Sequence, residues 1–359
     1  MGIRFDRDSR RATNGPIIFF SIYHDEAFEE EIRSAFLSGL SFYAYRFPND
    51  SMLSYGSSEG YVEGLGTPGF VIGFFSPDKP FITIPYDRIK RKDGNQCFYT
   101  MPAVSTTFSE YSNEVGKIVN SIHGGKAKKI VASRVIVKDT NLDIAEKFYD
   151  LCERFPESFV FCFSTPATGC WIGASPELLL ESTGGELNSM ALAGTREAGA
   201  GMPWDEKNIE EQKIVEDYIL SCLIGNGLSP VSGNCFTKST GSIEHICTLI
   251  KAKINPVLNL NLDYLLRQLS PTPALCGFPK DYAMKMIGES ETFDRGCYGG
   301  FCGPFHNTND FHLNVVLRCA SVSQKRFCVY VGGGITALSN PEEEWRETEL
   351  KAFNIFPGI

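Results

Sequence analysis

The sequence predicts a mixed α+β fold rather than a doubly wound parallel one, on three observations. Apolar segments come in pairs joined by turn-like stretches: FVFCFS and CWIGAS about TPATG, and FHLNVVLRCASV and RFCVYVGGG about SVSQKR. Segments of helical periodicity fall between the pairs instead of alternating one for one with strands. No low-complexity linker and no strong internal repeat divides the 359 residues, so a single domain, 1–359, is expected.

In chain order, residues 17–100 hold PIIFFSIY, FYAYRF, GFVIGFF and FITIPY between Gly, Pro, Asp and Ser clusters, and read as strands and loops. From Tyr111 the pattern changes. Val115, Ile118, Val119 and Ile122 recur at helical spacing up to Gly124 and Gly125, and the strand KKIVASRVIV follows at once. FVFCFS and CWIGAS form a hairpin, LLLES continues their sheet, and NIEEQKIVEDYILSCL is a long helix. The second strand pair leads into a helix over PEEEWRETELK.

The net charge of −9 argues against nucleic-acid and anionic-membrane partners, whose affinity rests on a basic footprint. Any anionic substrate must then be met by a few local cations. MGIRFDRDSRRATNG has no apolar core for a signal peptide, and Asp6 stands where a myristoylation signal needs Ser or Thr. Apolar runs such as FVFCFS are far shorter than the roughly 20 residues that span a bilayer. The twelve cysteines form no CxxC pair and are scattered through apolar strands. A soluble cytoplasmic protein with reduced core cysteines is the expectation.

Candidate site residues emerge where charge meets an apolar pattern. On the long helix, Glu211 shares a face with Ile214, Val215, Tyr218, Ile219 and Cys222. A carboxylate on a buried stripe needs an arginine, a lysine or a metal; the bland alternative is an exposed first-turn acid favoured by the helix dipole. In PEEEWRETELK, Glu343, Glu347 and Leu350 share a face, whereas Glu342 and Glu349 project elsewhere. Two carboxylates converging from two helices would suit an oxygen-loving cation such as Mg²⁺, though such a run alone is more often solvated surface.

VYVGGGITA satisfies a GxGxxA fingerprint through Gly332, Gly334 and Ala337. The following LSNPEEE opens no helix directly and too little chain remains, so a dinucleotide site is rejected; its N–H groups could still cradle a carboxylate. Lys129 opens a strand apolar on both faces, where lost solvation would make it a general base, unless it snorkels to water. Glu177, after a Ser-Pro turn, is either a rim carboxylate or a proton donor. Arg318 interrupts the apolar NVVLRCA, and a buried arginine generally faces a carboxylate or phosphate, of the protein or of a ligand.

Five blocks, KKIVASR, GASPELLLE, LAGTR, PTPALCGFP with FDRGCYGGFCG, and LRCA…VGGGI…SNPEEEWRETELK, stand in the order found in the chorismate-utilising enzymes. From about Tyr111 to Phe356 the chain resembles that family and, within it, the isochorismate synthases. The resemblance implies a sandwich of antiparallel sheets with flanking helices, a cavity between the sheets, and an Mg²⁺-dependent reaction. In that reaction water adds at ring carbon 2 of chorismate while the hydroxyl at carbon 4 departs. It also implies a catalytic core at 111–357 and a variable N-terminal part at 1–110.

Carried over by position, Lys129 matches the lysine that activates water and Glu177 the acid that protonates the leaving hydroxyl. Glu211 and Glu347 match the metal ligands, and Glu344 an acid that reaches the metal through water. Gly194 and Thr195 match the ring-pocket motif, and His245 a histidine near the ring carboxylate. Tyr298, Arg318, Gly332 and Gly334 match positions that bind the enolpyruvyl carboxylate, and Lys351 a lysine close to the metal. Three departures stand out: Ser270 replaces a histidine before PTPA, Gly333 replaces the alanine of GAGI and should loosen that turn, and Asn208 stands where several relatives have an acid.

Lys129 disfavours an anthranilate synthase, which has glutamine there, and Ala193 disfavours an aminodeoxychorismate synthase, which has lysine. A salicylate synthase that goes on to eliminate pyruvate is the runner-up enzyme, and a chorismate-binding regulator the non-enzyme alternative. Menaquinone synthesis is the expected destination, with siderophore synthesis as the other. No glutamine amidotransferase subunit is expected, and the resemblance implies a monomer.

Overall fold

The computed structural model describes residues 25–87, 97–199, 201–240, 243–254 and 260–356. PIIFFSIY lies outside them. Seven helices are described: α1 (Glu26–Ser38), α2 (Phe108–His123), α3 (Ile144–Arg154), α4 (Glu206–Gly225), α5 (Leu262–Leu269), α6 (Lys280–Ser290) and α7 (Pro341–Ile355). Two antiparallel sheets carry the rest. The eight-stranded sheet runs, edge to edge, Gly277–Phe278, Lys129–Asp139, Arg326–Ile335, Cys319–Ser323, Gly169–Ser175, Phe159–Thr165, Ser41–Arg46 and Ser54–Ser58. The ten-stranded sheet has Ile243–Lys253, Glu186–Glu197, Leu178–Thr183, Asp310–Val315, Phe301–Asn307 and Gly69–Gly73 at its centre, and the strand Phe236–Thr240 pairs with Ile243–Lys253.

Alternation along each strand sorts side chains between two cores. Phe159, Phe161 and Phe163 face the opposite sheet, while Val160 and Cys162 face α1 and α3 through Phe28, Ile32, Phe148 and Leu151. Tyr43 of one sheet lies flat on Phe70 of the other, ring centroids 5.4 Å apart and planes at 2°. Each side chain so buried contributes on the order of 2 kcal/mol, and this apolar layer holds the sandwich shut. α4 and α5 add Val215, Ile219, Leu265 and Leu269 to the same layer.

The mixed architecture, the two hairpins and the helix before KKIVASRVIV are as the sequence predicts. α2 opens on a capping box between Thr107 and Glu110 and stops at Gly124. Three expectations are corrected and one gap is filled. The segment after Asp25 is a helix, because Asp25 caps it and Phe28, Ile32 and Ala35 form one buried stripe. α5, α6 and the strands of 236–253 went unassigned in the sequence. LLLES does not continue the CWIGAS sheet, since the chain passes to the other sheet at Pro176–Glu177. NVVLRCA is not one strand either: Asp310–Val315 and Cys319–Ser323 belong to different sheets, and Arg318, at φ +47°, marks the crossing. At Arg318 apolar residues continue on both sides of the crossing, so periodicity leaves no mark there, and at Pro176 the Ser-Pro turn does not say which sheet the next strand joins.

Cys97 and Cys235 are exposed, Cys222 is half-buried and the other cysteines are buried, all as free thiols. No helix among the described residues is long and apolar enough to cross a membrane.

One buried ion pair fixes the strand that carries Lys129. Arg295 donates to Glu291 through Nε (2.8 Å), to Val131 O (2.8 Å) and to Leu275 O (2.7 Å), while Ser133 N donates to Glu291 Oε1 (3.1 Å). Removing the guanidinium strands a buried carboxylate. Arg295→Met is expected to cost about 3–5 kcal/mol in urea denaturation; stability within about 1 kcal/mol of the parent would contradict the clamp.

Candidate active site

Lys129 is only 2% exposed, and its Nζ lies 3.2 Å from Glu211 Oε2. The strand pattern suggests an unaccompanied lysine; the fold gives it a carboxylate. That carboxylate comes from the buried stripe of α4, which runs Glu211, Gln212, Val215, Ile219, Leu223. The stripe is rotated from the expected one, leaving Ile214, Tyr218 and Cys222 half-buried. Of the three partners left open for Glu211, the structure supplies a lysine.

α7 departs further from expectation. Its buried stripe is Glu344, Thr348, Ala352 and Ile355, whereas Leu350 and Phe353 are exposed, so the face proposed for Glu343, Glu347 and Leu350 is not the packed one. Arg134 sets the helix by stacking on Trp345 (3.8 Å) and donating to Thr348 Oγ1 (2.7 Å). Glu347 then stands at the edge of the stripe, 2.6 Å from Lys351 Nζ, which also donates to Gly332 O at 2.9 Å. Glu344 is buried and meets Lys207 Nζ at 3.2 Å through Oε1; its Oε2 has no hydrogen-bond partner. Glu342 and Glu349 are exposed, as expected.

Burial pushes the Glu347 carboxyl up, but Lys351, Lys207 and Lys129 outweigh it and hold the group below its ordinary value. For Glu344 burial wins over Lys207, and its carboxyl is raised.

The glycine run explains how these groups come so close. Gly332, Gly333 and Gly334 lie within a strand, paired to Ser133, Ala132 and Val131, and not in a turn as the sequence suggests. A side-chain carbon at Gly334 would stand 2.4 Å from Lys129 Cε and 3.0 Å from Glu211 Oε2; one at Gly333 would meet Glu344 Oε2 at 3.0 Å and Glu347 Oε1 at 3.8 Å. The carboxylates of α4 and α7 therefore converge on the two faces of one strand. At Gly332 the added carbon would lie 2.9 Å from Ser133 Oγ and 3.0 Å from the Tyr298 hydroxyl.

Glu177 is no rim carboxylate, being 2% exposed at the crossing between sheets. Its carbonyl accepts from Val315 N and Asn314 Nδ2, both at 3.0 Å, and its Oε1 is buried without a partner. Burial raises its carboxyl to about 8, against the opposing charges of Lys129 and Lys238. A carboxylic acid is thus kept protonated near neutral pH.

Arg318, at the second crossing, has no carboxylate partner among the described residues. It donates through Nη2 to Thr240 Oγ1 (2.7 Å) and to His245 Nε2 (2.8 Å). With Nε2 accepting, His245 donates its Nδ1–H to Gly194 O at 2.8 Å. Burial, with Arg318 beside it, lowers the imidazole to about 3, so His245 is a neutral link between Arg318 and the LAGTR motif. There, Gly194 sits at φ +71° where the strand register shifts, and Thr195 N donates to Asn208 Oδ1 at 3.1 Å. Asn208 holds the motif with the oxygen an acid would offer. Ser270, the third departure, buries its hydroxyl without a partner.

One cavity brings together every site residue nominated from the sequence except Glu344, which is buried behind it; Leu192, Ile243 and Leu317 add apolar walls. Lys207 and Tyr330 also line it and were missed. Lys207 lies four residues before Glu211 on α4, a helical spacing that could have found it. Cations on the walls outnumber the ionised carboxylates, which suits an anionic ligand in a chain of net charge −9. Among the described residues no three His, Cys, Asp or Glu side chains form a ready metal cage. An all-carboxylate donor set with an unpartnered buried oxygen on Glu344 still fits a hard cation that takes one or two carboxylates and waters.

Residues 87–357 match the family model described as chorismate binding enzyme. The chain is 34% identical over 239 residues to the isochorismate synthase EntC of Escherichia coli (strain K12), covering 62% of this chain and 60% of that protein. It is 29% identical over 262 residues to the vibriobactin-specific isochorismate synthase of Vibrio cholerae serotype O1, covering 69% and 66%. The matches thus span about 60–66% of the length of these relatives. The solved structure of MenF, the menaquinone-specific isochorismate synthase from Escherichia coli, superposes with a TM-score of 0.74 at 18% identity over 88% of this chain and 87% of that one, which shows the shared fold. The chain belongs to the chorismate binding enzyme family.

Proposed function

We propose that this chain is an isochorismate synthase, converting chorismate to isochorismate with Mg²⁺. The observation that carries the reading is the pairing of two proton-handling groups on one cationic cavity: Lys129 beside Glu211, and a buried Glu177 that stays protonated near neutral pH. Hydroxide is scarce at neutral pH and a poor leaving group, so replacing one ring hydroxyl by another needs both a base and an acid.

Lys129, once parted from Glu211 and with its ammonium proton given to solvent, is a neutral amine that takes a proton from the water that bonds to ring carbon 2. The ring double bonds shift, the bond from carbon 4 to its hydroxyl breaks, and Glu177 gives that hydroxyl its proton, so a water enters and a water leaves. The proton on Lys129 and the vacancy on Glu177 are then restored through solvent. Arg318 offers an unpaired guanidinium to a substrate carboxylate. In an antiparallel strand the N–H and C=O of one residue point the same way; with Gly332 O turned to Lys351, the N–H groups of Gly332 and Gly334 face the open edge and can serve the same carboxylate. Glu211 and Glu347 would hold Mg²⁺, with Glu344 behind them, and the ion would supply positive charge against the ring carboxylate. The relatives include both a vibriobactin-specific and a menaquinone-specific enzyme. We place the chain in menaquinone synthesis, with siderophore supply as the alternative.

Incubating the purified protein with chorismate and Mg²⁺ is expected to yield isochorismate. Salicylate with pyruvate would indicate further elimination, and binding without turnover would indicate a regulator. Lys129→Gln should lower turnover by at least about 100-fold while chorismate binding, followed by calorimetry, survives; undiminished turnover would sink the base.

Glu211→Ala and Glu347→Ala should each raise the Mg²⁺ concentration for half-maximal activity by about tenfold or more, while exposed Glu342→Ala does little. Equal effects of Glu342→Ala and Glu347→Ala would return α7 to a surface role. Because Glu177 acts in its protonated form, kcat should fall as pH rises through about 8, and Glu177→Gln should lose both rate and that limb.

A further inference from the structure

The strand Phe236–Thr240 is short and largely exposed, yet its two inward-facing side chains both reach the site. Thr240 accepts from Arg318. Two residues earlier, Lys238 lies across from His245 in the ladder and turns its half-buried side chain toward the sheet crossing at Glu177. Its Nζ donates to Pro176 O at 2.9 Å and lies 3.7 Å from Met190 Sδ; no carboxylate pairs with it at ion-pair distance among the described residues. An ammonium drawn from water toward a carbonyl and a thioether sacrifices solvation, which a purely structural position would rarely retain.

The main chain around Glu177 is held on one side by Asn314 Nδ2 and Val315 N, which bond the Glu177 carbonyl. Lys238 holds the other side, at the carbonyl of the preceding peptide. We propose that Lys238 is a positioning residue for Glu177, fixing the peptide that aims the acid into the cavity and keeping a cation beside it. This rests on the reading of Glu177 as the acid in isochorismate formation.

The charge acts in a definite direction. The groups facing Glu177 are Lys129, Lys238 and the hydroxyl of Thr272, and those facing Lys238 are Cys247, Glu157, Glu177 and Arg318. Burial favours the neutral acid, and Lys238 opposes burial by favouring the carboxylate. Loss of Lys238 should therefore make Glu177 a weaker acid that stays protonated to higher pH.

The test is the pH profile of chorismate turnover in Lys238→Met, Lys238→Gln and Lys238→Arg, beside the parent and Glu177→Gln. Lys238→Met should lose about tenfold in kcat with KM for chorismate within about twofold, and its alkaline limb should move to higher pH. Lys238→Gln, which keeps a donor for Pro176 O without the charge, should recover part of the rate but not the position of the limb. Lys238→Arg should restore both. Reduced rate with an unmoved limb in both neutral variants would make Lys238 a structural residue and overturn the proposal. Should Lys238→Met fail to fold, Lys238→Gln against Lys238→Arg carries the same contrast. If Glu177→Gln kept the parent rate and limb, the acid assignment itself would fail. If Glu177→Gln lost both while the Lys238 variants matched the parent, only the inference about Lys238 would fall.

Discussion

Three Glu–Lys pairs around one glycine strand are the constraint on which the rest of the site depends. Lys129 with Glu211, Lys207 with Glu344 and Lys351 with Glu347 come from one strand and two helices, and the buried carboxylates of Glu211 and Glu344 need their partners, while the Lys351–Glu347 pair is half-exposed. The pairing fixes how α4 and α7 sit against the strand Arg326–Ile335, and it requires glycine at 334, where any side chain would displace Lys129.

The remaining chemistry is placed by topology. Glu177 and Arg318 both stand where the chain leaves one sheet for the other, so each projects between the layers instead of out of a sheet face. At these crossings the Glu177 carbonyl accepts from Val315 N and Asn314 Nδ2, and the Arg318 guanidinium donates to Thr240 and His245. A sandwich whose strands switch sheets thus brings an acid at one crossing and a cation at the other into one cavity.

Much of this was legible in the sequence, and the failures have physical causes. Hairpins and amphipathic helices show in local periodicity, so the fold class and the strand of Lys129 could be read directly. The sheet crossings could not, because a strand buried on both faces reads as a continuous apolar run before and after Pro176 and Arg318. Glu211 was visible as a charge on an apolar stripe. Glu347 was nominated for the wrong reason, through Leu350, which is exposed; the true stripe includes Glu344, whose charge masks it in any hydrophobic pattern. Lys207 shows only its helical spacing from Glu211, which does not reveal its meeting with Glu344, and Lys238 carries no local signal, since only tertiary packing brings it to Pro176. The family motifs supplied what periodicity could not, namely that these scattered charges belong to one site.

The most direct measurement of the proposed chemistry is the fate of solvent oxygen. Chorismate turned over with Mg²⁺ in water enriched in oxygen-18, with the early product analysed by mass spectrometry, should give isochorismate carrying one labelled oxygen, located at the carbon 2 hydroxyl. Unlabelled isochorismate would mean that the hydroxyl migrates within the molecule, and would contradict the roles of Lys129 as the base and Glu177 as the acid.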